Sequence, residues 1–137
     1  MRRTLMRTKL FMIAGIALLA ATVPALAHHA FTAEFDSNQP IKFRGAVAKI
    51  ELINPHSWFH VDVKEPDGRT TRWMVEGGTP NTLLRRGFTK SSLPLGTEIV
   101  VDGYRAKDGS NRVNGRDITY PDGTKLFLGG SSPDAPK

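Results

Sequence analysis

The chain has 137 residues and a formal net charge of +6, with 19 Lys and Arg against 13 Asp and Glu, four His and no Cys. That length makes one domain, and the lack of Cys excludes disulfides, thiolate metal sites and a thiol nucleophile. Residues 1–27 hold Arg2, Arg3, Arg7, Lys9 and no acid, so the remaining 110 residues carry 15 basic against 13 acidic groups, a charge of +2 that lacks the concentrated basic face of a nucleic-acid binder.

Residues 1–27 read as an address. Residues 1–9 are basic, residues 10–21 are apolar, and Pro24-Ala25-Leu26-Ala27 ends in an Ala-x-Ala cleavage site, the layout of a secretory signal peptide. The apolar run falls short of the about 20 residues that span a bilayer, and no later segment is apolar enough to cross one. The mature protein is expected to be exported, periplasmic or secreted, with no stable membrane span. Arg2-Arg3-Thr4-Leu5-Met6-Arg7 also resembles a twin-arginine export signal, so both export routes stay open. Cleavage after Ala27 makes His28 the new N-terminus, with His29 beside it.

Residues 28–128 are expected to form one domain. Residues 28–40 read as an irregular lead-in pinned by Phe31 and Phe35. Residues 41–52 read as a long strand whose apolar parity switches near Gly45, the mark of a bulge or tight bend. In residues 57–63, Phe59, Val61 and Val63 alternate with Trp58, His60 and Asp62, the period of a strand. Pro66-Asp67-Gly68 turns the chain into a hairpin partner at residues 70–76. Thr79-Pro80, followed by Gly87, punctuates a short helix, with a capping hydroxyl, Pro at the first helical position and Gly just past the end. Strands are expected at residues 97–106, 113–120 and 124–128, and residues 129–137 form a Gly/Ser/Pro tail expected to be disordered. Three strands, a short helix, two strands and a terminal hairpin make an all-β chain with one short helix. The element order is that of a small OB-like closed or partly open β-barrel, with a β-sandwich as the alternative.

The histidines fall in two short stretches, His28-His29 and Asn54-Pro55-His56-Ser57-Trp58-Phe59-His60. Imidazole suits copper, zinc and nickel. A mature His28 offers its free amine and its own ring nitrogen to one ion, and the amine, with a pKa near about 7.7–8, deprotonates readily when a metal competes. A third nitrogen from His29, His56 or His60 would complete a set suited to Cu(II). His56 and His60 lie roughly 13 Å apart along a straight strand, too far to share an ion unless the chain bends at Pro55. The alternative is that these are surface and terminal histidines without a metal.

Trp58 and Trp73 sit on consecutive strands. If they are neighbours on one face they make an aromatic platform for a ligand, and otherwise they pack. With Arg72 and Asn54 they are the candidate ligand-binding residues. Ser57 beside His56 does not make a nucleophile–base pair, because strand neighbours point to opposite faces. Glu34 with Asp36, and Glu51 with Asp62, read as solvated carboxylates, and Gly77-Gly78 lacks the Lys-Ser/Thr of a phosphate loop. No catalytic residue is assigned.

At His28-His29-Ala30-Phe31, Glu34-Phe35-Asp36, Gly45-x-Val47, Asn54-Pro55-His56 and Trp73-x-x-Glu76, the chain resembles an exported bacterial family of unknown function, the domain of unknown function numbered 6152. The likeness extends over Pro80, Leu83 and Gly87 and over Leu95-Gly96 and Val101-x-Gly103. It implies a group without implying a mechanism, and it draws His28, His29, Asn54, Pro55 and His56 together as residues to test. Two expectations follow. One is a periplasmic binding module that takes copper or zinc at His28, His29, His56 and His60 without turning over substrate. The other is a metal-free module that binds an envelope protein or small ligand through the face around Trp58, Arg72 and Trp73.

Overall fold

The structure, a computed structural model, describes residues 30–130. The expected signal peptide, His28, His29 and residues 131–137 of the tail lie outside the described residues. No helix among the described residues is long and apolar enough to cross a membrane.

Residues 30–34 are helical. The strands are β1 (Phe35–Glu51), β2 (Trp58–Lys64), β3 (Thr70–Glu76), β4 (Glu98–Ala106), β5 (Arg112–Thr119) and β6 (Lys125–Phe127). The helix α1 (Pro80–Arg85) and a 3-10 turn (Lys90–Ser92) connect β3 to β4. All six strands belong to one mostly antiparallel sheet in the order β3-β2-β1-β4-β5-β6, and a short parallel pairing of β3 with β5 closes five of them into a ring. The protein is therefore all-β with a small helix, and its strands make one closed sheet, not the two packed sheets of the sandwich alternative.

β1 is the spine of this ring. Its first part pairs with β4, from Pro40↔Tyr104 to Ala46↔Glu98, and its last part with β2, from Ala46↔Asp62 to Glu51↔Trp58. The register slips between Val47 and Lys49, so the irregularity expected near Gly45 falls slightly later. β1 also begins at Phe35, where residues 28–40 had read as an irregular lead-in. The pairing with β4 passes from Phe35↔Ala106 to Pro40↔Tyr104, so residues 36–39 bulge out of the ladder, with Asn38 N donating to Asp36 Oδ1 at 2.9 Å.

The inside of the ring is lined as the period-2 pattern requires. Val47, Phe59, Val61, Val75, Ile99, Val101, Val113 and Ile118 are all buried in one cluster. Leu83 of α1 and Phe88 just beyond it join this core, with the Phe88 and Phe59 rings edge to face at 5.5 Å. The Thr79 hydroxyl accepts from Thr82 N at 3.1 Å and caps the helix. At the other end Phe88 N donates to Leu83 O and Gly87 N to Leu84 O, with Gly87 at φ +83, the left-handed closure that glycine makes without steric cost.

A second buried cluster lies outside the ring. Phe31 and Phe35 pack with Tyr104 and Ala106 of β4. The Phe31 ring meets Tyr104 edge-on at 5.7 Å and Phe35 at 6.0 Å. The two phenylalanines thus pin the N-terminal segment to the body, and residues 30–34 form a strap across the outer surface of β4 and β5.

Candidate functional site

Glu76 stands where the ring closes. In the ladders it is opposite Trp58 of β2 on one side and Asn114 of β5 on the other. Its neighbour Val75 points into the core, so the Glu76 side chain projects from the outer face. It is nonetheless buried, with 6% exposure, and Asn114 beside it is wholly buried. Asn114 is paired in turn with Tyr104, whose ring carries Phe31 of the strap.

Three polar groups meet the carboxylate or its surroundings. Asn114 Nδ2 donates to Glu76 Oε1 at 3.2 Å. His56 Nδ1 lies 3.5 Å from the same oxygen. Arg112, two residues before Asn114 on β5, ties Glu34 of the strap at 3.2 Å. Burial pushes the Glu76 pKa above the ordinary glutamate value; the nearby Glu34 charge adds to the rise, while His56, Asn114 and Arg112 oppose it. The His56 contact is an approach without a hydrogen bond, because Nδ1 is buried and has no partner of adequate geometry.

Backbone bonds hold His56 in place. Ser57 N donates to Gly78 O at 2.9 Å and Gly77 N to Ser57 O at 2.8 Å, extending the β2–β3 ladder past its last strand pair. The segment that carries His56 is thereby fixed against the end of β3, although its ring is 37% exposed.

The other sequence candidates are dispersed. His60 lies on the outer face of β2, and its Nε2 is 2.8 Å from Glu51 Oε2, so its partner is the end of β1 and not His56. Glu51 also takes Lys49 Nζ, and hydrogen bonds from Lys49 and His60 hold its carboxyl below the usual range. Trp58 is half-buried opposite Glu76 and so stands beside the site. Trp73 is opposite Val61 and packs on Phe43 at 5.0 Å, with the Arg105 guanidinium 5.5 Å above its ring. Three ladder positions separate the two tryptophans, an odd number, so they occupy opposite faces and make no shared platform. Arg72 is engaged by Asp62, with Nε–Oδ1 at 2.7 Å and Nη2–Oδ2 at 2.9 Å. Asn54 is exposed in the loop between β1 and β2, and its bond to Pro55 is cis. A separate groove of about 620 Å³, rimmed by Arg44, Asp62, Lys64, Thr70 and Glu98, shares no residue with the Glu76 site.

Sequence reasoning had not singled out Glu76 or Asn114 as site residues. Only the Trp73-x-x-Glu76 part of the family likeness pointed to Glu76, and nothing marked Asn114. Among the described residues, no group of three or more His, Cys, Asp or Glu is placed to hold a metal ion. His56 and Glu76 are a pair of such groups, 3.5 Å apart.

The likeness read from the motifs is matched by comparison. The model of a family of unknown function (DUF6152) covers residues 16–115, a span that takes in all four histidines, Glu76 and Asn114. A comparison with curated proteins finds no match. On the family match, which covers well over half of its length, the chain belongs to DUF6152, a family of unknown function.

Proposed function

We propose that the protein is a small exported module that binds a divalent metal, copper or zinc, through the histidines of its mature N-terminus, and that it carries or buffers the ion without chemical turnover. The observation behind this reading is the seat of the strap. Phe31 is buried against Tyr104, Glu34 is tied to Arg112, and both partners flank Asn114 and Glu76. His28 and His29 come immediately before this segment, and two residues of chain reach no more than about 7 Å beyond Ala30. A His28 amine and ring nitrogen, completed by an imidazole nitrogen from His29, His56 or His60, would make a set of nitrogen donors that suits Cu(II) or Zn(II).

The test is a calorimetric titration with Cu(II) and Zn(II) of the chain shown by mass spectrometry to begin at His28, beside a chain with one residue added in front. The expected result is tight Cu(II) binding that the extra residue weakens at least tenfold, because it removes the amine from the His28 chelate. Equal binding by the two chains overturns the role of the N-terminus. The metal-free alternative gains nothing from the tryptophans as a pair, since they occupy opposite faces.

A further inference from the structure

We propose that His56 and Glu76 are themselves a chelating pair for a divalent transition-metal ion, built on the sheet where the ring closes. The inference rests on the reading that the protein binds a divalent metal, and it adds two ligands that do not depend on which residue begins the mature chain.

The first observation is an orphaned atom. His56 Nδ1 is buried and makes no hydrogen bond, although Glu76 Oε1 is its neighbour at 3.5 Å. A buried polar atom left unpaired costs about 1–3 kcal/mol, and native structures keep few of them. If the pair were a simple buried ion pair, the ring N–H would be drawn onto the carboxylate at about 2.7–2.9 Å. The observed spacing is too long for that. It is instead the spacing of two ligands on one ion. With metal–nitrogen and metal–oxygen bonds of about 2.0–2.2 Å and a tetrahedral angle, the donor atoms stand about 3.4 Å apart.

The second observation is the support behind the pair. Glu76 is the last residue of β3 and is held in two ladders at once, opposite Trp58 and opposite Asn114. Asn114 Nδ2 donates to Glu76 Oε1 at 3.2 Å and orients the carboxylate. Metal-binding carboxylates are commonly steadied by such an outer hydrogen bond. His56 is fixed by the Ser57–Gly78 and Gly77–Ser57 backbone bonds. Both donors therefore come from backbone that is already ordered, so binding need not organise them.

The chemistry sets the class of ion. One imidazole nitrogen and one carboxylate oxygen suit Zn(II) or Cu(II), and the pair lacks the sulfur donor that a soft monovalent ion prefers. These two residues supply two donors, and water completes the shell.

The experiment titrates Zn(II) by calorimetry and Cu(II) by tryptophan emission into two chains, one that begins at His28 and one with a residue added before it. Each is made as wild type, Glu76→Gln and His56→Ala. Glu76→Gln keeps the shape of the side chain, and His56→Ala alters a partly exposed loop residue, so at least one variant keeps the fold. The expected result is a loss of affinity of at least tenfold for both variants in both chains, with metal-free melting temperatures close to that of the parent. Trp58, opposite Glu76, supplies a local signal: Cu(II) quenching of its emission disappears in Glu76→Gln and in Trp58→Phe. If both variants bind as the parent does while the added residue abolishes binding, the chelating pair is overturned and the N-terminal site stands. If the added residue has no effect while both variants lose affinity, the pair stands and the N-terminal site falls. Failure of every chain to bind either ion overturns both.

Discussion

Arg112 on β5 reaches back across 78 residues of chain to hold Glu34, with Nη1 donating to the carboxylate at 3.2 Å. The same guanidinium holds Asp108 through Nη2 at 3.1 Å, so one side chain fastens the strap to the turn between β4 and β5. Glu34 O also accepts from Lys107 N at 2.9 Å. For a partly exposed pair of this kind the expected loss of stability is small, about 0.2–1 kcal/mol. The effect on the site is larger. Glu34→Gln is expected to weaken Cu(II) binding by the chain that begins at His28 several-fold and to leave binding unchanged once His28 and His29 are both replaced by Ala. Equal losses in the two backgrounds would mean that Glu34 does not act by placing the N-terminus.

Phe31 tests the apolar half of the same fastening. It is 1% exposed, in a cluster separate from the main core. Truncating a buried Phe costs about 3–5 kcal/mol when the whole fold depends on it. Here the cost is expected to appear locally. In Phe31→Ala, hydrogen exchange at Lys107 N, the donor to Glu34 O, should speed up by two orders of magnitude or more. The Val101 and Ile118 amides should keep most of their protection. Equal acceleration at those core amides would show that the strap and the ring unfold as one unit.

Gly103 on β4 faces Gly115 on β5, and a Cβ built at Gly103 would lie 2.2 Å from Asn114 O. That oxygen is backbone and cannot swing aside. Gly103→Ala should therefore destabilise the protein by about 1–3 kcal/mol, the usual cost of forcing atoms into a packed interior. Since the displaced strand carries Asn114, it should also lower metal affinity. A urea midpoint unchanged from the parent would refute the close approach.

Asp62 and Arg72 give a pH signature. The paired Arg72 hydrogen bonds hold the Asp62 carboxyl below its ordinary value of 3.8. A carboxyl lowered by folding contributes stability that is present above its unfolded pKa and is lost as pH falls through its folded pKa. The stability gap between the parent and Arg72→Ala should hold steady at neutral pH and close below pH 3.8, as read from urea midpoints across an acid series. A gap that persists under strongly acidic conditions would show that Arg72 acts through packing of its stem instead.

Much of the fold is legible residue by residue. Phe59 and Val61 alternate with Trp58 and His60, and that alternation alone separates the inside of the ring from its outside. Thr79, Pro80 and Gly87 mark both ends of α1, because capping and left-handed closure are local chemistry. The hairpin partner at residues 70–76 falls where it was expected for the same reason. The start of β1 was not legible, since Asp36 to Gln39 favour turns and bulge out between the Phe35 and Pro40 pairings with β4. The separation of the tryptophans depends on ladder register, which no local pattern reports.

The sequence by itself determined the strand and helix order, the apolar lining of the ring, the family and the residues that merit testing, because each depends on neighbours a few positions apart in the chain. The tertiary structure decided the site. Glu76 reads in the sequence as one more charged residue at a strand end. It is enclosed between β2 and a parallel pairing with β5, where Asn114 lies 38 positions onward. Whether a carboxylate is solvated or enclosed depends on which distant segments cover it, and closing the ring put His56, Glu76 and Asn114 in one place.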